Sequence, residues 1–175
     1  NAPVIGRTPD STNNAQIRWL IRRDLPEVCS IEHTTFNEPW SEDDFLGFLR
    51  QRNVIGMVAE ENKEIIGYMI YELHKAKINL LDLAVREDQQ RRGVGESMIM
   101  KLNDKLSQQH RQEVHIALSD SCEIGQMYLS ACGFHAVGST PETGKGTDEG
   151  AILMRLKRRA MEIEKANSQY DWLKQ

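Results

Sequence analysis

The sequence predicts an α+β fold built on one mixed sheet, and three observations carry that prediction. Short apolar runs at 54–60, 64–73 and 77–85 follow one another with only three-residue breaks, so antiparallel neighbours are expected. One strand is followed at once by a glycine-rich turn and a long amphipathic helix, and then by another strand, which inserts a single strand–helix–strand unit into that order. Two helical segments stand between the first strand and the second. The order reads βααβββαβαββ, without an internal repeat.

The elements follow from local chemistry. Residues 1–15 are rich in Pro, Ser, Thr and Asn without periodicity and read as a flexible arm before the domain. In QIRWLI, Ile17, Trp19 and Ile21 alternate with their neighbours as a strand does. Asp24 with Glu27 three residues on, and Pro26 in the first turn, predicts a capping box for a helix running to about Phe36, with Leu25, Val28, Cys29 and Ile31 on one face. Ser41 and Asp44 predict the cap of a short second helix carrying Phe45, Leu46, Phe48 and Leu49. Glu61–Asn62–Lys63 reads as a hairpin connection. Val94, Met98, Leu102 and Leu106 recur every four residues and place an amphipathic helix over about 93–109. A strand at 114–119, a helix near 122–132 closed by Gly133, and strands at 134–137 and 151–156 around a Gly/Thr-rich loop complete the pattern. The stretch 158–175 reads as a charged tail.

Composition narrows the function. The chain has 175 residues, 39% of them hydrophobic and 27% charged, which suits one domain with a real core. A net charge of −4 speaks against a generic nucleic-acid binder, so any phosphate site must be local. Cys29, Cys122 and Cys132 form no CxxC pair and no cluster at metal-ligand spacing, which points to thiols in a reducing compartment and to no metal. No apolar run is long enough to span a bilayer and no signal-type segment opens the chain; the expectation is a cytoplasmic protein with no membrane partner.

The sharpest local feature is Gln90–Arg91–Arg92–Gly93–Val94–Gly95–Glu96, between an apolar strand and an amphipathic helix. A helix start exposes unpaired N–H groups and the positive end of the helix dipole, and glycines let the backbone approach an anion. The P-loop is excluded, because no Lys follows Gly95 in register; the dinucleotide fingerprint is weak, because Met98 stands where its third glycine belongs. Taken alone, the loop is either a phosphate cradle or an ordinary strand–helix connection.

Gln90, Gly93 and Gly95 match the cofactor motif of the Gcn5-related N-acetyltransferase (GNAT) superfamily, which the chain resembles over about residues 16–157. FNEPWSEDDF at 36–45, LDLAVREDQQRRGVG at 81–95 and CGF at 132–134 are similar to the bacterial ribosomal-protein-alanine N-acetyltransferases. The resemblance implies a mostly antiparallel sheet of about seven strands with helices on both faces, and acetyl-CoA as cofactor. It implies that Leu83, Ala84 and Val85 lie along the pantetheine arm and that Arg91, Arg92, Gly93, Val94, Gly95 and Glu96 cradle the pyrophosphate. The 36–45 segment would shape the acceptor cleft, with a protein or peptide N-terminus as partner.

Relatives of this type carry a Glu or His base on the strand after the cofactor helix and a Tyr acid on the next helix. An ungapped count back from Gly133 puts Ala117 and Leu129 there, and neither moves a proton. The same count puts Cys122 at the place of a cofactor-contacting Asn. His115, two residues before Ala117, and Tyr128, beside Leu129, are the substitutes, and Asp82 on the pantetheine strand is a third candidate for holding a water near the amine. Their ordinary alternatives are a surface strand histidine, a packed aromatic and a structural carboxylate. An acyl-CoA-binding module without turnover, and a transferase for a small amine or lysine, stand beside the α-amine reading.

Overall fold

A computed structural model describes residues 13–108, 110–140 and 150–158; most of the expected arm and tail, and most of the Gly/Thr-rich loop, lie outside the described residues. Seven strands form one sheet in the order β1-β2-β3-β4-β5-β7-β6. They are β1 (Gln16–Trp19), β2 (Val54–Glu61), β3 (Glu64–Leu73), β4 (Lys77–Val85), β5 (Glu113–Ser119), β6 (His135–Thr140) and β7 (Ala151–Lys157). All neighbours are antiparallel except β4 and β5. The helices are α1 (Leu25–Thr35), α2 (Glu42–Leu49), α3 (Val94–Gln108) and α4 (Glu123–Ala131).

Two apolar cores lie on opposite faces of the sheet. Met98, Ile99, Leu102 and Leu106 of α3 and Leu129 of α4 pack with Met69, Ile78, Val114 and Ile116. On the other face, Leu25, Val28 and Ile31 of α1 and Phe45 of α2 pack with Val58, Tyr68 and Ile70. Helices thus cover both faces, as the resemblance implies.

The hairpin between β2 and β3 turns on Asn62 and Lys63, whose φ of 52° and 66° are the left-handed values of a two-residue turn that follows the twist of its strands. Ser41 caps α2: its Oγ accepts from the Asp44 N–H at 3.1 Å, and the Asp44 carboxylate accepts from the Ser41 N–H at 2.9 Å. The box expected at Asp24 does not form. Asp24 is buried and its carboxylate takes two bonds from Arg18, at 2.8 and 2.9 Å, and one from the Ile21 N–H, while Glu27 accepts from the Ile65 N–H. A guanidinium fork within reach outcompetes a cap, because two charge-assisted bonds are stronger than one to an amide. β1 ends at Trp19, which is 67% exposed, so the alternation read through Ile21 marks a strand but not an inward face for Trp19.

Two irregularities open the sheet. β4 carries a bulge at Leu81: Ile70 pairs with Asp82 but Tyr71 with Leu80. An extra residue shifts which face each later side chain takes, so Ile78 and Leu80 join the α3 core while Asp82 and Ala84 face α1. Parallel pairing of β4 with β5 then stops after Lys77–Asn79 against Glu113–His115, although β4 continues to Val85 and β5 to Ser119. From Leu80 onward β4 pairs only with β3 among the described residues, and the two parallel strands diverge.

Candidate functional site

The diverging strands point their open end at the start of α3. Gly93 precedes the helix with φ 83° and Arg91 with φ 64°, so the loop turns sharply through two left-handed residues, the second of them free of a Cβ penalty. The Gly93 carbonyl accepts from the Ser97 N–H at 3.0 Å and from Ser97 Oγ at 2.8 Å, which fixes the first turn. First-turn amides have no intrahelical acceptor and sit at the positive end of the helix dipole. Gln90 ties the loop back to β4, donating from Nε2 to the Val85 carbonyl at 3.0 Å.

The two arginines of the loop differ. Arg91 is exposed beside the cradle. Arg92 donates to both oxygens of Glu61, at 2.7 and 3.0 Å, and to Gln89, so its side chain braces the loop against β2. Asn13 also reaches this corner, donating to Ser97 Oγ at 2.9 Å.

Gly95 has a second reason to lack a side chain. A Cβ there would stand 2.0 Å from the Tyr128 hydroxyl and 3.6 Å from Val85 Cγ2. Tyr128 therefore lies with its hydroxyl on the start of α3, at the mouth of the β4–β5 opening. Burial pushes its ionisation well above the usual phenol range, with Cys132 and Glu96 adding to it, so the hydroxyl keeps its proton and serves as a donor. Leu129, one residue on, is 3% exposed within the α3 core, and its carbonyl accepts from the Phe134 N–H where Gly133, at φ 99°, ends α4. Of the adjacent pair Tyr128 and Leu129, it is Tyr128 that faces the cradle.

His115 stands elsewhere. Val114 and Ile116 belong to the α3 core, so strand alternation turns His115 to the opposite face from the cluster against which Tyr128 packs. Its Nε2 lies 2.8 Å from Glu113 Oε2, and this contact, with Arg155 next, holds the Glu113 carboxyl below the usual range. Its backbone pairs with Asn79, at the closed end of the strand opening. Ala117 is exposed two residues further along. The structure does not bring His115 and Tyr128 together. Cys122 is exposed at the front of α4.

Asp82 is turned inward. It is 8% exposed, with Oδ2 3.2 Å from the Tyr68 hydroxyl, which also donates to Glu32. Burial first, and then Glu32, push the Asp82 carboxyl up to about 9. Glu32 is itself 2% exposed and takes a bond from the Trp40 N–H at 2.9 Å. Trp40 stacks on Phe48 at 4.4 Å and meets Phe45 edge-on at 5.3 Å, which seats the 36–41 segment over α2. Glu32 is absent from the residues that motif reading selects. Its signal was its spacing: four residues after Val28 and seven after Leu25, a carboxylate falls on the apolar stripe of α1.

The arrangement fits a long ligand with an anionic middle and an extended arm: a helix start for phosphates, a strand side on Leu83–Val85 left unpaired among the described residues for amides, and a phenol where the two meet. Comparisons with known proteins bear on the family and the fold. A family model described as acetyltransferase (GNAT) domain matches residues 24–147. The [ribosomal protein bS18]-alanine N-acetyltransferase of Escherichia coli strain K12 is 25% identical over 142 residues, covering 80% of this chain and 95% of that protein. Among solved structures, the ribosomal-protein-S18-alanine N-acetyltransferase of E. coli superposes with a TM-score of 0.72 at 23% identity, covering 82% of this chain and 94% of the other. Ard1 from Thermoplasma volcanium superposes with 0.71 at 20%, covering 83% and 98%. The chain belongs to the GNAT acetyltransferases, a family of N-acetyltransferases whose cosubstrate is acetyl-CoA.

Proposed function

We propose that this acetyltransferase acts on the α-amine of a protein N-terminus, such as that of a ribosomal protein. The observation that carries this reading is the match to the E. coli bS18-alanine enzyme along 95% of that enzyme's length. Acetyl-CoA supplies a thioester carbonyl that a neutral amine attacks, with release of the thiol. In this reading the amides of Arg91, Arg92, Gly93, Val94, Gly95 and Glu96 hold the pyrophosphate, and Leu83–Val85 pair with the pantetheine arm as an added strand would. Tyr128 holds a proton at its Oη and gives it to the departing sulfur, and the proton shed by the acetylated nitrogen restores the phenol.

No ionised base faces Tyr128 from β5, where the face shared with α4 carries Val114 and Ile116. An α-amine tolerates that arrangement. With a pKa near 7.8 it is roughly 14% neutral at pH 7, against roughly 0.04% for a lysine near 10.4. Orientation of amine and thioester then supplies much of the remaining acceleration. A peptide with a free N-terminus and no lysine, and its terminally blocked counterpart with one lysine, distinguish the acceptors by mass spectrometry. The free α-amine should be acetylated at least about tenfold faster, given those neutral fractions. A product acetylated only on lysine would overturn the α-amine reading and favour lysine or a small amine.

A further inference from the structure

We propose that Glu32, Tyr68 and Asp82 act as one positioning device for the acceptor, holding the Trp40 segment against β4 and so setting the gap in which the amine meets the thioester. This deepens the α-amine reading and rests on its pairing of Leu83–Val85 with the pantetheine arm and on the 36–45 segment shaping the acceptor cleft. The chain of contacts is continuous. The Trp40 N–H donates to Glu32 Oε1, the Tyr68 hydroxyl donates to Glu32 Oε2, and the same phenol oxygen lies 3.2 Å from Asp82 Oδ2. It spans three elements and a connection: the α1–α2 segment, α1, β3 and β4, one residue before Leu83.

Proton counting sets the state of the device. Tyr68 has one hydroxyl proton and gives it to Glu32. The contact with Asp82 is then a hydrogen bond only when Asp82 carries its own proton and donates to the phenol oxygen. Burial and the neighbouring Glu32 favour that form, pushing Asp82 up to about 9. The groups acting on Asp82 and Tyr68 are each other and Glu32, whose carboxyl also bonds Asp82 directly, with the Leu83 backbone N–H opposing them at Asp82. From α1, Cys29 also faces Glu32, its thiol raised by burial first and then by Glu42 and Glu32; from α2 the neighbour is the apolar ring of Phe45, 5.7 Å from Tyr68. Loss of the Asp82 proton places a second negative charge in a buried site, with no proton left between the phenol and Asp82. The device then breaks at its β4 end.

The test uses the full chain with Trp19→Phe and Trp172→Phe, so that fluorescence reports Trp40 alone. The parent emission should be that of a stacked, half-buried indole at pH 7 and should shift to the red as the pH rises through about 9. Asp82→Asn, whose amide can still donate to the phenol oxygen, should keep the unshifted emission to pH 10 or so. Tyr68→Phe should shift it already at pH 7 and raise the acceptor KM about tenfold, the usual size of a lost hydrogen bond to a charged group, with the acetyl-CoA Kd unchanged. A folded Tyr68→Phe with parental emission and KM would overturn the proposal, and so would a red shift in Asp82→Asn at the parental pH. If Tyr68→Phe does not fold, the Asp82→Asn titration decides alone. The Trp40 signal needs no acceptor, so it stands or falls separately from the identity of the amine.

Discussion

Tyr128→Phe removes one oxygen from the mouth of the strand opening and leaves the ring packed on the α3 core, so it separates binding from proton delivery. As the donor to the leaving thiolate, its loss should lower kcat by about 100-fold, within the range for positioned acids, with the acetyl-CoA Kd changed less than about threefold. Steady-state kinetics with a calorimetric control reads both quantities. An equal loss in affinity would instead make the hydroxyl part of the cradle. At this scale the legible residues were those whose type is demanded by backbone geometry. Gly93 and Gly133 both take positive φ, and both stand where a helix boundary required a glycine. Glu32 was not legible as part of a cluster, because Tyr68 lies 36 residues from it along the chain and Asp82 lies 14 beyond Tyr68, and the three meet only through the sheet. His115 and Tyr128 read as a pair because each stands within two residues of a position where relatives carry the base or the acid; which face each takes is set by core packing and not by count.

Among the elements, α2 depends most on its first turn, since it has only eight residues and carries the Phe45 and Phe48 rings that seat Trp40. Ser41→Ala removes the acceptor for the Asp44 N–H and should cost about 1 kcal/mol, measured by urea denaturation. The Ser41–Asp44 box was legible because it needs only two residues at fixed spacing. The same rule misread Asp24, because Arg18 on β1 competes for it and that contact forms only when β1 lies beside α1. The bulge at Leu81 and the divergence of β4 from β5 were invisible for a related reason: an apolar run such as LLDLAV has no alternation from which a one-residue slip could be read.

For the whole molecule, the order of elements determined most of the architecture. Short connections make β2, β3 and β4 antiparallel neighbours, and the α3 crossover makes β5 parallel to β4. That one parallel junction is where the sheet opens, and the start of the crossover helix lies at its open end. A site for a phosphate-bearing, extended cosubstrate thus follows from topology, while the acceptor depends on the side chains around Trp40. The measurement that bears most directly on this account is a calorimetric titration with acetyl-CoA of the parent and of a chain with Gly93→Val and Gly95→Val. The first substitution forces a branched side chain to φ near 83°, and the second drives a Cβ into the Tyr128 hydroxyl. The account predicts one site per chain in the parent and no measurable binding in the variant, with the fold retained by circular dichroism; unchanged affinity in the folded variant would contradict it.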